Sequence, residues 1–302
     1  MRIFSLDSPA EIARQIAGVR VVLNCAGPFS ATAAPMIEAC LEAGVHYLDI
    51  TGEIAVIEAA AQRHERAVAA GVTLIPAVGF DVVPSDCLAA MLAQRLPSAT
   101  RLQLAFTFTG GVSPGTAKTM LEGLAGGAWA RVEGRLVRVP WAWKTIEVPL
   151  PQGPCPAVTV PWGDVATAWY STGIGNIEVY LAMAHGRTGW LRSARWLFPA
   201  LKFRPFRAFL RWGIRRFVAG PSAERNEASR SRLWGRVEDA SGRRAEATLE
   251  TPGGYPITVS AALASVERVL AGAAPTGFST PSKAFGSDFV LKLPGTELRW
   301  MG

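Results

Sequence analysis

Three short segments contain the residues of this chain that could hold a ligand or move a proton. Each follows an apolar run that is typical of a buried parallel strand. The segments are Asn24-Cys25-Ala26-Gly27-Pro28-Phe29, Thr51-Gly52-Glu53 and Gly79-Phe80-Asp81. Because ligands of open α/β sheets bind beyond the carboxyl ends of the strands, we expect the three segments to face one crevice.

The first segment has residues that suit a close approach of the backbone to a ligand. Gly27 lets the main chain pass near another molecule, and Pro28 fixes the turn after the strand. Asn24 and Cys25 add polar side chains at the strand end. A plain strand-to-helix turn would use the same residues, so both interpretations stay open at this point.

The other two segments carry acids that could serve chemistry or structure. Thr51 and Glu53 could face the crevice, but Thr51 could also cap a helix and Glu53 could be an acid of its first turn. Asp81 could orient a substrate or relay a proton, or it could bind the amides of the next turn. Tyr170 is a candidate proton donor, although a buried tyrosine with a satisfied hydroxyl is commoner. Candidates for a substrate pocket, or for turns and caps, are Ser113, Thr116 and Thr119.

The elements that must position these segments alternate between strand and helix over residues 1–96. The pattern predicts strands at Ile3–Leu6, Val19–Asn24, Val45–Ile50 and Val72–Pro76. It predicts helices from Asp7 or Ser8 to Gly18, from Ser30 or Thr32 to Gly44, over Glu53–Ala70 and over Pro84–Arg95. Near-continuous apolar strands separated by helices predict a doubly wound parallel sheet.

The pattern changes after Pro97, where strands with long connections follow one another. Predicted strands are Leu102–Phe108, Val132–Val139, Val158–Val160, Ile177–Ala182, Leu233–Val237 and Ala245–Glu250, and a late helix covers Ser260–Ala271. Val132–Val139 belongs to a hairpin that turns at Glu133-Gly134, and the last two strands pair with each other. We therefore expect an α+β, mainly antiparallel domain over residues 97–275, followed by a C-terminal segment over residues 276–302.

The positive charge is concentrated in one segment. The net charge is +7, and nine cations without a single acid lie between Arg187 and Arg216. Aromatic and leucine residues interleave with these cations over residues 187–217. Such a basic aromatic segment can contact a membrane or a lipid-like substrate, or it can pack one face into the core and leave its arginines in water. No binding module accompanies the charge, so nucleic acid is not an expected partner.

The cysteines and the start of the sequence point to an ordinary reduced protein. Cys25, Cys40, Cys87 and Cys155 form no C-x-x-C pair and no ligand spacing with the histidines, so we expect buried thiols and no metal. The first residues do not resemble a signal peptide, and no apolar run is long enough to span a bilayer. A cytoplasmic protein, with a possible peripheral membrane contact through residues 187–217, is the expectation.

Several motifs, taken in order, resemble the saccharopine dehydrogenase-like oxidoreductase family, and among its members the trans-acting enoyl reductases. The motifs are Asn24–Phe29, His46–Glu53, Val78–Asp86, Pro161–Thr167, Ser171–Tyr180, Gly220–Ser222 and Thr280–Gly286. The resemblance implies an NAD(P)-dependent oxidoreductase with a Rossmann-like domain, an inserted α+β substrate domain and a C-terminal segment that returns to the first domain. It implies hydride transfer from NADP or NAD to an apolar or acyl-type substrate.

The resemblance also implies which residues meet the cofactor. They are Asn24, Cys25, Ala26, Gly27, Pro28, Phe29, Thr51, Gly52, Glu53, Gly79 and Phe80, with Asp81 and Tyr170 as catalytic candidates. The G-x-G-x-x-G turn that holds the pyrophosphate in such folds does not occur in the sequence. The sequence therefore predicts an N-terminally truncated Rossmann-like sheet in which Ile3–Leu6 is the third strand, with weak cofactor binding.

Two further expectations follow from such a sheet. Its uncovered edge at Val19–Asn24 would favour self-association, so a homo-oligomer is one expected state. The alternative to an oxidoreductase is a catalytically silent chain that binds a membrane or a protein partner.

Overall fold

The structure, a computed structural model, describes residues 2–108, 127–150, 153–183, 216 and 229–301. The described helices are α1 (Pro9–Ile16), α2 (Phe29–Ala43), α3 (Ile54–Ala61), α4 (His64–Ala69), α5 (Val83–Arg95), α6 (Asp164–Thr172), α7 (Gly254–Leu270) and α8 (Pro281–Phe285). The described strands are β1 (Val21–Asn24), β2 (His46–Asp49), β3 (Thr73–Ile75), β4 (Ala99–Phe108), β5 (Ala128–Val132), β6 (Arg135–Val139), β7 (Thr145–Leu150), β8 (Gly153–Thr159), β9 (Asn176–Ala182), β10 (Arg230–Asp239), β11 (Arg244–Pro252), β12 (Gly277–Phe278) and β13 (Glu297–Met301).

The first sheet is parallel. Over the described residues its order is β1-β2-β3-β12. Asn24 at the end of β1 lies opposite Asp49 at the end of β2. The strand β12 comes from far along the chain, and its Gly277 pairs with Thr73. The predicted parallel α/β sheet is confirmed, and the carboxyl ends of β1, β2 and β3 share one edge.

The predicted strand Ile3–Leu6 is wrong. The backbone there has no strand pairing, and Ile3 is 84% exposed. Phe4 and Leu6 instead pack their side chains against the core around α1 and α2. Phe4 and Leu6 are thus partly buried through their side chains without strand pairing, and this segment is not a third strand of the sheet.

The predicted helix starts and lengths also need correction. Ser8 does cap α1, through the amide of Glu11. The segment predicted as one helix from residue 53 to 70 is two helices, because the backbone leaves the helical range at Arg63 (φ −94°, ψ 7°), where Glu38 holds the Arg63 side chain. Neither Ser30 nor Thr32 starts α2, which begins at Phe29 without a capping side chain from Pro28.

The second sheet is mostly antiparallel. Its order over the described residues is β13-β11-β10-β4-β9-β5-β6, and the β7–β8 hairpin joins it beside β9. The predicted pairing of β10 with β11 is confirmed, with Leu233 opposite Leu249, and the predicted hairpin turn at Glu133-Gly134 is confirmed as well. β4 and β9 run parallel, which the sequence pattern did not predict.

The main core joins the second sheet to α5. Leu88 and Leu92 of this helix are fully buried. A Cβ added to Gly235 of β10 would lie 2.6 Å from Leu92 Cδ1, so only glycine lets the helix approach the strand this closely. This packing fixes the start of α5, which directly follows the segment Gly79–Asp81. No described helix is both long and apolar enough to cross a membrane.

Candidate functional site

A buried chain of hydrogen bonds links the ends of the first two strands. The Asn24 side chain, 6% exposed, donates from Nδ2 to the Tyr47 hydroxyl at 3.2 Å and to Thr32 Oγ1 at 3.2 Å. Its Oδ1 accepts the Ala26 amide at 3.0 Å. The Tyr47 hydroxyl donates in turn to Asp49 Oδ2 at 2.8 Å. The Asn24 side chain therefore makes its three hydrogen bonds within the protein, and they hold the turn that follows β1.

Asp49 extends this chain to the third strand. Its Oδ1 accepts the amides of Thr51 at 3.0 Å and of Ala77 at 2.8 Å. Ala77 has a positive φ of 62°, a conformation that costs energy for a residue with a Cβ. Complete burial raises the pKa of the Asp49 carboxyl to about 6, although the amides of Ala77 and Thr51 favour the charged form.

Glu53 connects the turn after β2 to the start of α2. Its Oε1 accepts the Phe29 amide at 2.8 Å, and its Oε2 accepts the Ser30 amide at 3.0 Å. The Thr51 hydroxyl, buried, accepts the Glu53 amide at 3.0 Å. The expected first-turn role of Glu53 in its own helix is therefore wrong: the carboxylate caps α2, and α3 has no side-chain cap.

The turn after β1 is open to solvent, in contrast to the loop after β3. Cys25, Ala26, Gly27 and Pro28 are exposed, and the Gly27-Pro28 peptide bond is cis. Gly79 and Phe80 are buried instead. They lie beside α7, where the Phe80 amide donates to Thr258 Oγ1 at 3.0 Å. Of the predicted cofactor residues, Cys25, Ala26, Gly27 and Pro28 are exposed, and Phe29, Gly52 and Glu53 are partly exposed.

Asp81 lies directly against the turn after β2. A Cβ on Gly52 would come within 2.5 Å of Asp81 Oδ2, so the carboxyl fits only because residue 52 is glycine. The Asp81 side chain is half-buried and has no hydrogen-bond or ion-pair partner among the described residues. Burial raises the pKa of Asp81 to about 6. An unengaged carboxyl of this kind can carry a proton.

A second acid, Asp164, lies near this junction and was missed by the sequence reasoning. It is completely buried at the start of α6, and its Oδ2 accepts the Ser85 hydroxyl at 2.7 Å. Its Oδ1 has no partner within the described part of the chain. A Cβ on the preceding Gly163 would lie 2.7 Å from Val82 and 3.6 Å from the Gly52 carbonyl oxygen. Burial is the main cause that raises the pKa of Asp164 well above its usual value.

Tyr170, the other catalytic candidate, lies in a different cluster. Its hydroxyl donates to Glu58 Oε2 at 2.7 Å, and Arg131 Nη2 lies 2.7 Å from Glu58 Oε1. Arg131 is 4% exposed and also donates to the carbonyl oxygens of Val165 and Gly134. Burial, and then Glu58, raise the pKa of the Tyr170 hydroxyl. This cluster ties α3 to β5 and α6, and the role of Tyr170 as a proton donor stays a prediction.

Other predicted features have no counterpart that the structure describes. Ser113, Thr116 and Thr119 lie outside the described residues, as does the basic aromatic segment 187–217 apart from Arg216. Among the described residues, no group of histidine, cysteine and acidic side chains could hold a metal ion. A surface groove of about 630 Å³ runs beside Pro9, Glu38 and Arg66, away from the carboxyl ends of the strands.

The sequence contained a signal for the residues that were missed in β2. Tyr47 and Asp49 are two apart in a strand, so their side chains share one face, and Asp49 lies opposite Asn24 in the register. A polar pair on one face of an otherwise apolar strand indicates a buried hydrogen-bond network. Asp164 offered no comparable signal, because its burial depends on the packing of α6 against residues far away in the chain.

Comparison with known proteins finds a family that the first part of the chain resembles. Residues 3–75 match the family described as the saccharopine dehydrogenase NADP binding domain. A saccharopine dehydrogenase-like oxidoreductase of Mus musculus is 36% identical over 85 residues, which are 28% of this chain and 20% of the mouse protein. A Mycobacterium tuberculosis protein named as a trans-acting enoyl reductase is 34% identical over 124 residues, 39% of this chain and 30% of that protein.

One solved structure has a similar fold over almost the whole length of the chain. Apo saccharopine dehydrogenase (L-Glu forming) from Saccharomyces cerevisiae aligns with 99% of this chain and 88% of its own, at a TM-score of 0.59 and 10% identity. The mixed α/β, Rossmann-like dehydrogenase fold and the predicted resemblance to saccharopine dehydrogenase-like oxidoreductases are therefore confirmed. The matched stretches span only a fifth to a third of the two sequence relatives.

Proposed function

We propose that this chain is an NAD(P)-dependent oxidoreductase that transfers hydride to an apolar or acyl-type substrate, as an enoyl reductase does. The observation that carries the proposal is the meeting of polar turns at the carboxyl ends of β1 and β2, inside the stretch that matches an NADP binding domain. The acyl-type substrate follows from the relative named as a trans-acting enoyl reductase.

The exposed turn Cys25–Pro28 suits the uncharged parts of a nicotinamide cofactor. A Cβ on Gly27 would meet nothing closer than the Phe29 ring at 3.7 Å, so the backbone is accessible to a ligand. Each oxygen of Glu53 accepts one amide and can accept a second donor, such as a ribose hydroxyl. We therefore assign the ribose and the nicotinamide to this edge of the sheet.

The same residues do not suit a phosphate. The amides that a helix N-terminus offers to an anion are already bound to Glu53 at the start of α2. A phosphate there would also face a carboxylate of the same charge. We do not assign the pyrophosphate of the cofactor to this helix end.

Asp81 is our candidate for the group that holds the proton. The bound cofactor would supply the hydride, and the chain has to supply position and a proton. A carboxyl with a pKa near 6 keeps a useful protonated fraction close to neutral pH. Its place against Gly52 brings it to the edge where the cofactor is assigned.

Titration of the chain with NADPH and with NADH, followed by nucleotide fluorescence, tests the binding step. We expect saturable binding of at least one of them with a Kd below about 1 mM, or about −4 kcal/mol. Turnover is then measured as loss of NADPH with a trans-decenoyl thioester of coenzyme A. The saturated decanoyl thioester is the matched control, since it has no double bond to reduce.

Variants separate the chemistry from the binding. Asp81→Asn should lower turnover about 100-fold and leave the Kd for NADPH unchanged. Glu42→Gln, on the exposed surface of α2, should change neither quantity. A chain that binds neither nucleotide would contradict the proposal and favour the catalytically silent alternative.

A further inference from the structure

We infer that Tyr47 and Asp49 are positioning residues that couple the turn after β1 to the loop after β3, so that a ligand bound at one is sensed at the other. The inference rests on the proposed function for the identity of the ligand. The hydrogen-bond geometry that carries it is independent of that ligand. Neither residue contacts solvent, so their action on a bound molecule must pass through the loops they hold.

The coupling runs through an unbroken series of hydrogen bonds. The Ala26 amide binds Asn24 at 3.0 Å, Asn24 binds the Tyr47 hydroxyl at 3.2 Å, and Tyr47 binds Asp49 at 2.8 Å. The other oxygen of Asp49 then accepts the Ala77 amide at 2.8 Å. Within the described residues, no direct hydrogen bond joins the turn 25–28 to the loop 77–81. The turn 25–28 and the loop 77–81 are therefore connected through the Tyr47 hydroxyl, which lies between Asn24 and Asp49.

A second branch closes the series into a ring. Asp49 Oδ1 also accepts the Thr51 amide, and the Thr51 hydroxyl accepts the Glu53 amide. Glu53 returns to the first turn through the amides of Phe29 and Ser30. The carboxylate of Asp49 is thus the point where the two branches and the loop after β3 meet.

Asp49 also stabilises the strained backbone of Ala77. Ala77 has a φ of 62°, and its amide points at Asp49 Oδ1. A residue with a Cβ stays in this conformation only where its surroundings hold it. Loss of order at Asp49 should therefore release Ala77 and move the segment that ends at Asp81. The position of the Asp81 carboxyl depends in this way on a tyrosine of the neighbouring strand β2.

Tyr47→Phe tests the coupling, because it removes one hydroxyl and keeps the buried ring. We expect faster amide hydrogen exchange, by about tenfold, at Ala26 and also at Ala77, whose own hydrogen bond the substitution leaves in place. The Kd for NADPH should rise by about fivefold. Asp49→Asn should give the same pattern, because its oxygen can still accept the two backbone amides while its NH2 group replaces the oxygen that accepts the Tyr47 hydroxyl.

Tyr180→Phe is the matched control. Tyr180 is also fully buried, and its hydroxyl also donates to an acid two residues away, Glu178, but it lies in the second sheet. This variant should leave exchange at Ala26 and Ala77, and the Kd, unchanged. A Tyr47→Phe protein whose exchange changes at Ala26 alone would overturn the coupling. Equal effects from Tyr180→Phe would overturn it as well, since they would reflect general loss of stability.

The experiment also separates this inference from the proposed function. A wild-type chain that binds neither NADPH nor NADH would contradict the proposed function, and the exchange measurement would still decide the coupling. Normal NADPH binding with no change of exchange at Ala77 in Tyr47→Phe would overturn the coupling alone.

Discussion

The Glu53 carboxylate accepts the backbone amide of Phe29 at 2.8 Å, so the turn after one strand caps the helix that follows its neighbour. A capping residue usually belongs to the helix it caps. Here the α2 helix begins after Pro28 with no side-chain cap of its own, and an acid that lies 24 residues further along the chain takes that place. The first turn of α2 and the end of β2 therefore depend on each other.

Glu53→Ala should free the amides of Phe29 and Ser30 and lower the free energy of unfolding by about 1–2 kcal/mol. The open helix end should then bind inorganic phosphate, which the wild-type carboxylate repels. Urea unfolding with and without phosphate measures both effects. Glu42→Ala, in the last turn of the same helix, should change neither. Phosphate that stabilises the wild-type protein as strongly as Glu53→Ala would contradict the capping role.

The contribution of Asp49 and Asp81 to the stability of the protein should fall as the pH rises from about 4 to 6 and these two acids lose their protons. Burial raises the pKa of Asp49 and of Asp81 to about 6 in the folded chain, above the usual value of 3.8. The folded state therefore binds these protons more tightly than the unfolded state, which favours folding at low pH. That contribution is lost as the pH rises through the folded pKa values.

Asp81→Asn isolates one of these acids, because its side chain has no described partner to lose. At pH 7 the free energy of unfolding of the variant should exceed that of the wild type by about 1–3 kcal/mol, because the neutral amide avoids the cost of burying a charged carboxylate. At pH 4 the two should be nearly equal. Urea unfolding at both pH values measures the difference. A variant that is less stable than the wild type at pH 7 would show that the Asp81 carboxylate has a stabilising partner.

Three strands of the first sheet, β1, β2 and β3, could be predicted from the sequence because each lies in a local apolar run next to a glycine, whereas the two-residue strand β12 was not predicted. The edge of the sheet where Asn24, Glu53 and Asp81 lie followed from the same pattern. The partners of these residues could not be read, since they depend on which strands are neighbours. Asn24 binds Tyr47 of the neighbouring strand, and Glu53 binds the start of a different helix, α2.

The segment Ile3–Leu6 shows that a short apolar pattern is not enough to predict a strand. Four residues that suit a strand need a neighbouring strand to pair with, and local sequence does not contain that information. Phe4 and Leu6 satisfy the same apolar pattern by packing on helices. The burial of Asp164 is a similar case, because it is set by contacts of α6 with Ser85 and Val82 on another part of the chain.

Arg131→Met should lower the free energy of unfolding by about 3 kcal/mol or more, because it leaves Glu58 without its cation and two buried carbonyl groups without a donor. Tyr170→Phe should cost only about 1.5 kcal/mol, since it removes a single hydrogen bond to Glu58. The double variant should cost less than the sum, because both residues act on the same carboxylate. Thermal or urea unfolding of the wild type, the two single variants and the double variant measures the coupling.

The same variants decide the role of Tyr170 in turnover. If Tyr170 serves only to hold Glu58, Tyr170→Phe should keep turnover of an enoyl thioester within about twofold of the wild type at a temperature where both are folded. A loss of about 100-fold would identify its hydroxyl as a proton donor. Tyr255→Phe, on the exposed surface of α7, is the control for a tyrosine outside the cluster.

Gly52→Ala should disturb the site through one contact, since the new Cβ would lie 2.5 Å from Asp81 Oδ2. The expected cost is about 1–3 kcal/mol, because the Asp81 side chain must move out of its place against the turn. Asp81→Ala removes the clashing atoms, so Gly52→Ala should cost clearly less in an Asp81→Ala background. A double-mutant cycle from urea unfolding gives the coupling energy between the two positions. Equal costs in both backgrounds would mean that residue 52 is restricted by its backbone and that Asp81 does not pack against it.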